Sequence, residues 1–475
     1  MSIAILNCWI LSFKGDNLGI IEKGAVGIRN EIIDFVGSTS KINEEDYDKI
    51  INGTNHVIMP GLVNAHIHTG LTILRGGAQD VPEIEWMNKA IGPLAKHMNP
   101  DDAILGSKLG VIEGLKSGTT TFAEYAENVS RIVDEVYIPF GVRVVATETI
   151  NEVSRDRAHL KPTDLYEFDR TKGEEAFHRA NDLFTKYSGN DLVTSMYGPQ
   201  ALDMISIDLL DCIHSESIEK ECGFHMHVAQ GKRERLQIMG RYGKDSSTVK
   251  VLEKNGFLDS YLLGAHCHDT TFAERELMVN KGAKMVGCPS SISMIDGIVP
   301  PVGDFVALGG VVGLGSDQAP GSGLHNMFCE MRTISILTKT VKKDPTVLPA
   351  WEVLQLATKG GAKVLKSENS IGSLEIGKRA DIITIDLSRP NLTPTVSKPF
   401  RNFIPNIVYS TTGYEVDNVI INGKEIISNN QFIDIDEQKI IFEANKRAKE
   451  IFELAEEDWR KADSELVKKV DKGLL

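Results

Sequence analysis

Three pairs of histidines share one spacing: His66-Ile67-His68, His225-Met226-His227 and His266-Cys267-His268. On a β-strand, residues two apart stand on the same face, with the intervening Ile67, Met226 or Cys267 turned away. A fourth segment, Gly315-Ser316-Asp317, adds a carboxylate. Imidazole nitrogens with one carboxylate oxygen are the donor set of a catalytic Zn²⁺ or similar divalent ion with one position open to water. A single pair would carry little, because a histidine at a strand end is commonly just a hydrogen-bonded residue. Three pairs and an aspartate, each ending an apolar run, point to one shared centre.

The elements that must position these groups form an alternating series. Apolar, β-rich runs lie at 57–65, 119–123, 142–147, 192–197, 223–228, 261–265, 283–287 and 311–315. Amphipathic stretches such as 101–116, 173–186, 205–219, 246–255 and 271–280 separate them. Repeated strand–helix units imply parallel strands, and eight of them predict an α/β fold of the (β/α)8 TIM-barrel type. The C-terminal ends of its strands converge on one pocket, where the histidines and Asp317 fall. A doubly wound open sheet would carry a Gly-rich phosphate turn after its first strand, and Asn64-Ala65-His66-Ile67-His68 is no such turn. Short strands with Gly, Asn and Asp turns fill the first sixty residues and return near 372–385 and 416–428. They predict a small β-sandwich built from both termini. The expected division is 1–59 with 371–433 for that β domain, 60–370 for the barrel and 434–475 for a C-terminal helical extension lying on the surface.

The chain has 475 residues, with 52 Lys and Arg against 66 Asp and Glu, a formal charge of −14. That balance argues against a nucleic-acid or anionic-membrane surface, which would need clustered Lys and Arg. No apolar run reaches the roughly 20 residues that span a bilayer. The apolar stretch 3–13 has no basic residue before it and reads as a first strand, not a signal peptide. Six scattered cysteines predict free thiols and a cytoplasmic location.

The segment Met59-Pro60-Gly61-Leu62-Val63-Asn64-Ala65-His66-Ile67-His68 resembles the first-strand signature of the amidohydrolase superfamily. Leu74-Arg75-Gly76-Gly77 followed by Glu85-Trp86-Met87 is similar to its methylthioadenosine/S-adenosylhomocysteine deaminase and s-triazine hydrolase (atrazine chlorohydrolase-like) branch. So are Gly264-Ala265-His266-Cys267, Cys288-Pro289-Ser290-Ser291, Gly315-Ser316-Asp317 and the run from Ile371 to Asp381. The resemblance implies a barrel with a terminal β-sandwich, a homo-oligomer and one divalent metal, Zn before Fe or Mn. It implies His66, His68, His227 and Asp317 as metal ligands, with Asp317 also the base and His266 orienting the attacking water. In this branch the third ligand sits three residues before a glutamate, and Gln230 at that place selects His227 over His225. The first βα loop closes over substrate in relatives, which makes Glu85 and Trp86 substrate-binding candidates.

Two residues depart from the branch. Gln230 stands where deaminating relatives carry the proton-shuttling glutamate, and an amide cannot titrate. Gln200, in Tyr197-Gly198-Pro199-Gln200-Ala201, stands where the nucleoside deaminases carry a substrate-contacting histidine. General acid–base catalysis is worth about 10²–10⁴-fold, so another acid must serve, with Glu124, Glu148, Lys232 and Cys288 near strand ends, or the leaving group needs no proton. The expected function is a metal-dependent hydrolase attacking a ring C–N bond of a planar nitrogen heterocycle, with deamination foremost. Displacement of a non-amine group (halide, thioether or amide) is the second reading, and a metal-binding homologue without catalysis the third. His225 and His268 read as packing neighbours, and His56, His97, His159, His178, His214 and His325 as surface or structural residues.

Overall fold

The computed structural model describes residues 2–154, 157 and 159–475. Strands β1 (Ser2–Leu11), β2 (Ile20–Arg29) and β3 (Ile32–Ser38) form an antiparallel meander, and β4 (Lys49–Asn52) and β5 (His56–Pro60) run parallel to β1 on its other side.

The barrel follows in strict chain order. Its strands are β6 (Leu62–Ile67), β7 (Thr119–Ala126), β8 (Arg143–Ile150), β9 (Val193–Pro199), β10 (Phe224–Val228), β11 (Leu262–His266), β12 (Lys284–Gly287) and β13 (Val312–Leu314), each parallel to the next. One face of each strand feeds the interior, where Val63, Ala123, Val145, Met196, Leu263 and Val286 pack together. The alternate residues, among them Phe122, Val144, Met226 and Met285, pack outward in the large core that also takes up the helices. Period-two alternation thus sorts every strand into a barrel-filling face and a helix-facing face.

The seam between first and last strands lies at the proposed ligands. Asp317 N donates to His66 O at 3.0 Å, and His68 N donates to Asp317 O at 3.3 Å. Asn64 reinforces it, accepting from Ser316 N at 3.0 Å and donating to Ser316 Oγ at 2.7 Å. Glycine at 315 is what permits this approach, since a Cβ there would sit 2.7 Å from His66 O.

From the end of the chain, β14 (Ile382–Asp386), β15 (Val416–Ile421), β16 (Lys424–Ser428) and β17 (Gln431–Phe432) extend the terminal sheet through β14 on β5. The β piece made from both termini is one continuous mixed sheet of nine strands. Asn422 and Gly423 both have positive φ, as a two-residue type I′ hairpin requires. The apolar run 57–65, expected as one barrel strand, is two: β5 belongs to the terminal sheet and β6 to the barrel. The C-terminal extension is likewise two helices, Glu437–Lys461 and Glu465–Asp471. The first buries Ile440, Ala444, Ile451 and Ala455, and its Arg447 grips Asp102 of the helix Pro100–Lys116 at 2.6 and 2.9 Å. It therefore braces the first βα segment. No described helix is long and apolar enough to cross a membrane.

His325 is fully buried and central, which a lone histidine in a sequence does not announce. Its Nδ1 lies 2.9 Å from Ser316 Oγ and its Nε2 2.9 Å from Thr72 Oγ1, whose hydroxyl donates to Thr69 O. This chain suits a neutral ring: Ser316 donates to Nδ1, and Nε2–H donates to Thr72. Burial, with Arg75 and His68 nearby, lowers its pKa to about 3. The neutral form is the folded form, so its contribution to stability is complete above the ordinary value near 6.5 and is lost as pH falls toward 3, at about 1.4 kcal/mol per unit. Urea midpoints measured from pH 7 to pH 4 are expected to fall, and to fall less steeply in His325→Asn. Identical slopes would contradict this.

Candidate metal centre and active site

His225 and His227 both point into the barrel from β10, and Met226 points out, as two-residue spacing dictates. His66 lies one residue before the end of β6, and His68 follows that strand. The third pair departs from this rule. His266 and Cys267 have φ of +73° and +51°, and Asp317 has +61°, so the chain turns where β11 and β13 end. Left-handed conformations on non-glycine residues cluster where function holds them. His266 enters the central cavity, and His268 instead faces Asp296, with Nε2 3.2 Å from Oδ1.

The imidazoles are held in one tautomer by acceptors behind them. His68 Nδ1 lies 2.6 Å from Tyr125 O, and His227 Nδ1 lies 2.7 Å from Gln200 O. A carbonyl only accepts, so each Nδ1 carries the proton and each Nε2 presents a lone pair. His66 Nδ1 is 3.0 Å from His225 Nε2, which assigns His225 the task of fixing His66. His66 Nε2 is left buried with no hydrogen-bond partner among the described residues. Asp317 Oδ1 lies 3.7 Å from His66 Nε2 and 3.4 Å from His68 Nε2, while Ser291 Oγ donates to Oδ2 at 2.5 Å. Two sets of donor atoms, from His66, His227 and His266 and from His66, His68 and Asp317, each lie within 4.8 Å of one another.

Burial and the neighbouring imidazoles hold His66, His227 and His266 well below the ordinary histidine range, so they are neutral at neutral pH. Burial also lowers His68, against the pull of Asp317. Neutral imidazoles, tied from behind and converging with a carboxylate on an orphaned nitrogen, fit a divalent cation.

The centre opens into a cavity of about 570 Å³ lined by His68, His227, His266 and Asp317. That is the size of a site for a nucleoside-sized molecule. Gln200, Gln230 and Trp86 also line it, with Leu71, Met87 and Met204 on its apolar parts. Gln230 Nε2 and Trp86 Nε1 are buried without hydrogen-bond partners among the described residues.

Glu85 does not line the cavity: its Oε2 accepts from Glu465 N at 3.1 Å, tying the loop to the second C-terminal helix. Glu83 lines it instead. Two residues on a helical turn are about 200° apart, so only one of the two glutamates can face inward, and Trp86, three residues on, shares the face of Glu83. The sequence reading singles out Glu85 and does not name Glu83, because spacing does not give the phase that chooses between them.

Among the candidate acids, Glu124 reaches the cavity wall. Its carboxyl is committed to Thr69 N at 3.0 Å, Thr69 Oγ1 at 2.5 Å and Tyr137 Oη at 2.6 Å, and burial pushes it up to about 7. Glu148 caps Asn128 and Val129 and pairs with Arg179. Lys232 and Cys288 do not line the cavity. His56, His97 and His214 pair with Asp417, Asp458 and Asp259 away from it.

The Amidohydrolase family pattern matches residues 57–426. A 5-methylthioadenosine/S-adenosylhomocysteine deaminase of Desulforudis audaxviator is 32% identical over 454 residues, 95% of this chain and 100% of the relative. A 5′-deoxyadenosine deaminase of Methanosarcina mazei is 33% identical over 451 residues, 94% and 98% of the two chains. Among solved structures, a zinc-bound adenosine deaminase from Xanthomonas campestris superposes with a TM-score of 0.85 at 25% identity, covering 94% of this chain and 98% of its own.

Proposed function

The chain belongs to the amidohydrolase family, and from that premise we propose a metal-dependent aminohydrolase that releases ammonia from the amino-substituted ring of a purine nucleoside or a related planar heterocycle. The observation that carries this reading is the set of imidazoles of His66, His68 and His227, whose Nδ1 atoms are tied from behind, with the Nε2 atoms of His66 and His68 near Asp317, beside a nucleoside-sized cavity. His66, His68, His227 and Asp317 would hold one divalent ion, with zinc first. Such an ion, when bound, supplies the Lewis acidity that makes water a nucleophile near neutral pH.

The protein's own groups divide the remaining work. Asp317 takes a proton from the attacking water through Oδ1, since Ser291 already occupies Oδ2. His266 orients that water; its Nδ1 is buried and has no hydrogen-bond partner among the described residues. Trp86 offers an aromatic face to a planar ring, with Gln200 on the wall. The unpartnered Gln230 amide can donate to a ring nitrogen or an exocyclic oxygen, but it cannot carry a proton between them.

With zinc-loaded protein, 5′-methylthioadenosine, S-adenosylhomocysteine, 5′-deoxyadenosine and guanine are the panel. Saturable ammonia release from at least one is expected, and silence on all four would sink the reading. The amide at 230 also favours a second reading, displacement of a group that leaves unprotonated. Halide or thiol release from a substituted purine in the absence of ammonia would establish that one instead.

A further inference from the structure

Gln230 is followed by Gly231, whose φ of +119° suits glycine alone. A Cβ there would stand 2.8 Å from Asp296 Oδ1 and 3.3 Å from Glu83 Cδ. The absent side chain is what lets two carboxyls from separate elements close on the backbone beside Gln230. Glu83 comes from the first βα loop and Asp296 from the end of the helix Pro289–Ile295, and both line the cavity with Gln230, His227, His266 and Asp317.

The surroundings leave Glu83 available. Among the described residues its two oxygens accept only long bonds from Arg233 N, at 3.3 and 3.4 Å. The Arg233 guanidinium is committed to Asp203 and Tyr166, and Asp296 faces His268. Glu83 and Asp296 both come within about 3.3 Å of one point, the place a Cβ on residue 231 would take, so the two carboxyls flank the same stretch of backbone. Burial raises the pKa of Glu83 and Asp296 adds to it, against Arg233 and His268.

We propose that Glu83 is the proton carrier of this reaction, delivering from the first βα loop the proton that Gln230 cannot. The inference rests on the deaminase reading above. As the water oxygen bonds to the ring carbon, the C=N π bond opens and protonated Glu83 gives its proton to the ring nitrogen. The proton held by Asp317 passes to the amino nitrogen, the C–N bond breaks and ammonia leaves. The remaining O–H proton returns to the Glu83 carboxylate as the carbonyl forms. Water and the amine become the lactam and ammonia, with both carboxyls restored.

The test compares wild type, Glu83→Gln and Glu83→Gln/Gln230→Glu on 5′-deoxyadenosine across pH. Glu83→Gln is expected to lower kcat by about 10²–10³-fold with KM little changed and to lose one limb of the kcat profile. Restoring a carboxyl at 230 in the double variant is expected to recover at least tenfold of that loss, by about the same principle. A rise in KM with kcat retained, and no recovery, would make Glu83 a substrate anchor and overturn the proposal.

A second measurement needs no substrate. The infrared difference between wild type and Glu83→Gln is expected to show a protonated carboxyl band that titrates above the ordinary carboxylate range. Its absence overturns the proposal, whatever the enzyme turns over. The band without nucleoside turnover supports the proton on Glu83 and sinks the substrate reading alone.

Discussion

Asp317→Asn is expected to lower turnover by about 10⁴-fold or more and to weaken metal retention in the same variant. Three tasks meet on this side chain. In the proposed reading Oδ1 would complete the ligand set with His66 and His68 and the carboxylate would accept the water proton, while Ser291 donates to Oδ2 and fixes its orientation. Asparagine keeps the shape and loses both the negative charge and the ability to take a proton. The backbone also stays compatible, because asparagine is among the residues that adopt positive φ most readily and position 317 has φ of +61°. The seam bonds to His66 and His68 are made by main-chain atoms and survive. Ammonia release and bound metal would therefore fall together while circular dichroism and the urea midpoint hold. A loss below tenfold would remove Asp317 from the chemistry.

The largest stability effect is expected at Asp381→Ala, about 3–5 kcal/mol. Asp381 accepts from Arg143 Nε at 2.5 Å and Nη2 at 3.0 Å, and from Asn422 N at 2.9 Å. Arg143 begins β8 of the barrel, and Asp381 and Asn422 flank β14 and β15 of the terminal sheet, so one carboxylate joins the two sheets. The side chains are 11% and 3% exposed, which keeps water from replacing the lost partner. Cutting one member leaves a guanidinium in a site built for its counter-ion. Replacing both, as in Arg143→Met/Asp381→Leu, is expected to recover most of the loss. Urea unfolding reads this directly, and a change under 1 kcal/mol for Asp381→Ala would show that the pair does not couple the sheets.

The parts legible in the sequence were those with a short-range rule behind them. His225-Met226-His227 lies on a regular strand, so the spacing alone put both rings inward. Eight apolar runs in alternation gave the barrel and placed its strand ends at the histidines. His266-Cys267-His268 has the same spacing and a different outcome, because the left-handed turn at 266 and 267 redirects His268 to Asp296. Nothing in residue types announces that turn.

The run 57–65 shows a second limit. Both halves are apolar because both are buried, and burial does not say in which sheet. Glu85, the glutamate singled out beside Trp86, shows a third: the helical phase that aims Glu83 at the cavity and Glu85 at Glu465 depends on the C-terminal helices, some 380 residues away. The surface placement expected for that C-terminal extension missed the same contact.

Hydrolytic deamination with one divalent ion is the reaction proposed for this constellation. The most direct measurement is ammonia release from 5′-deoxyadenosine by metal-stripped protein as zinc is added back. The expected curve starts near zero, rises in proportion to zinc and levels at one equivalent per chain, with one ammonia formed for each lactam product. Full activity in the stripped protein, or product formed without ammonia, would contradict it.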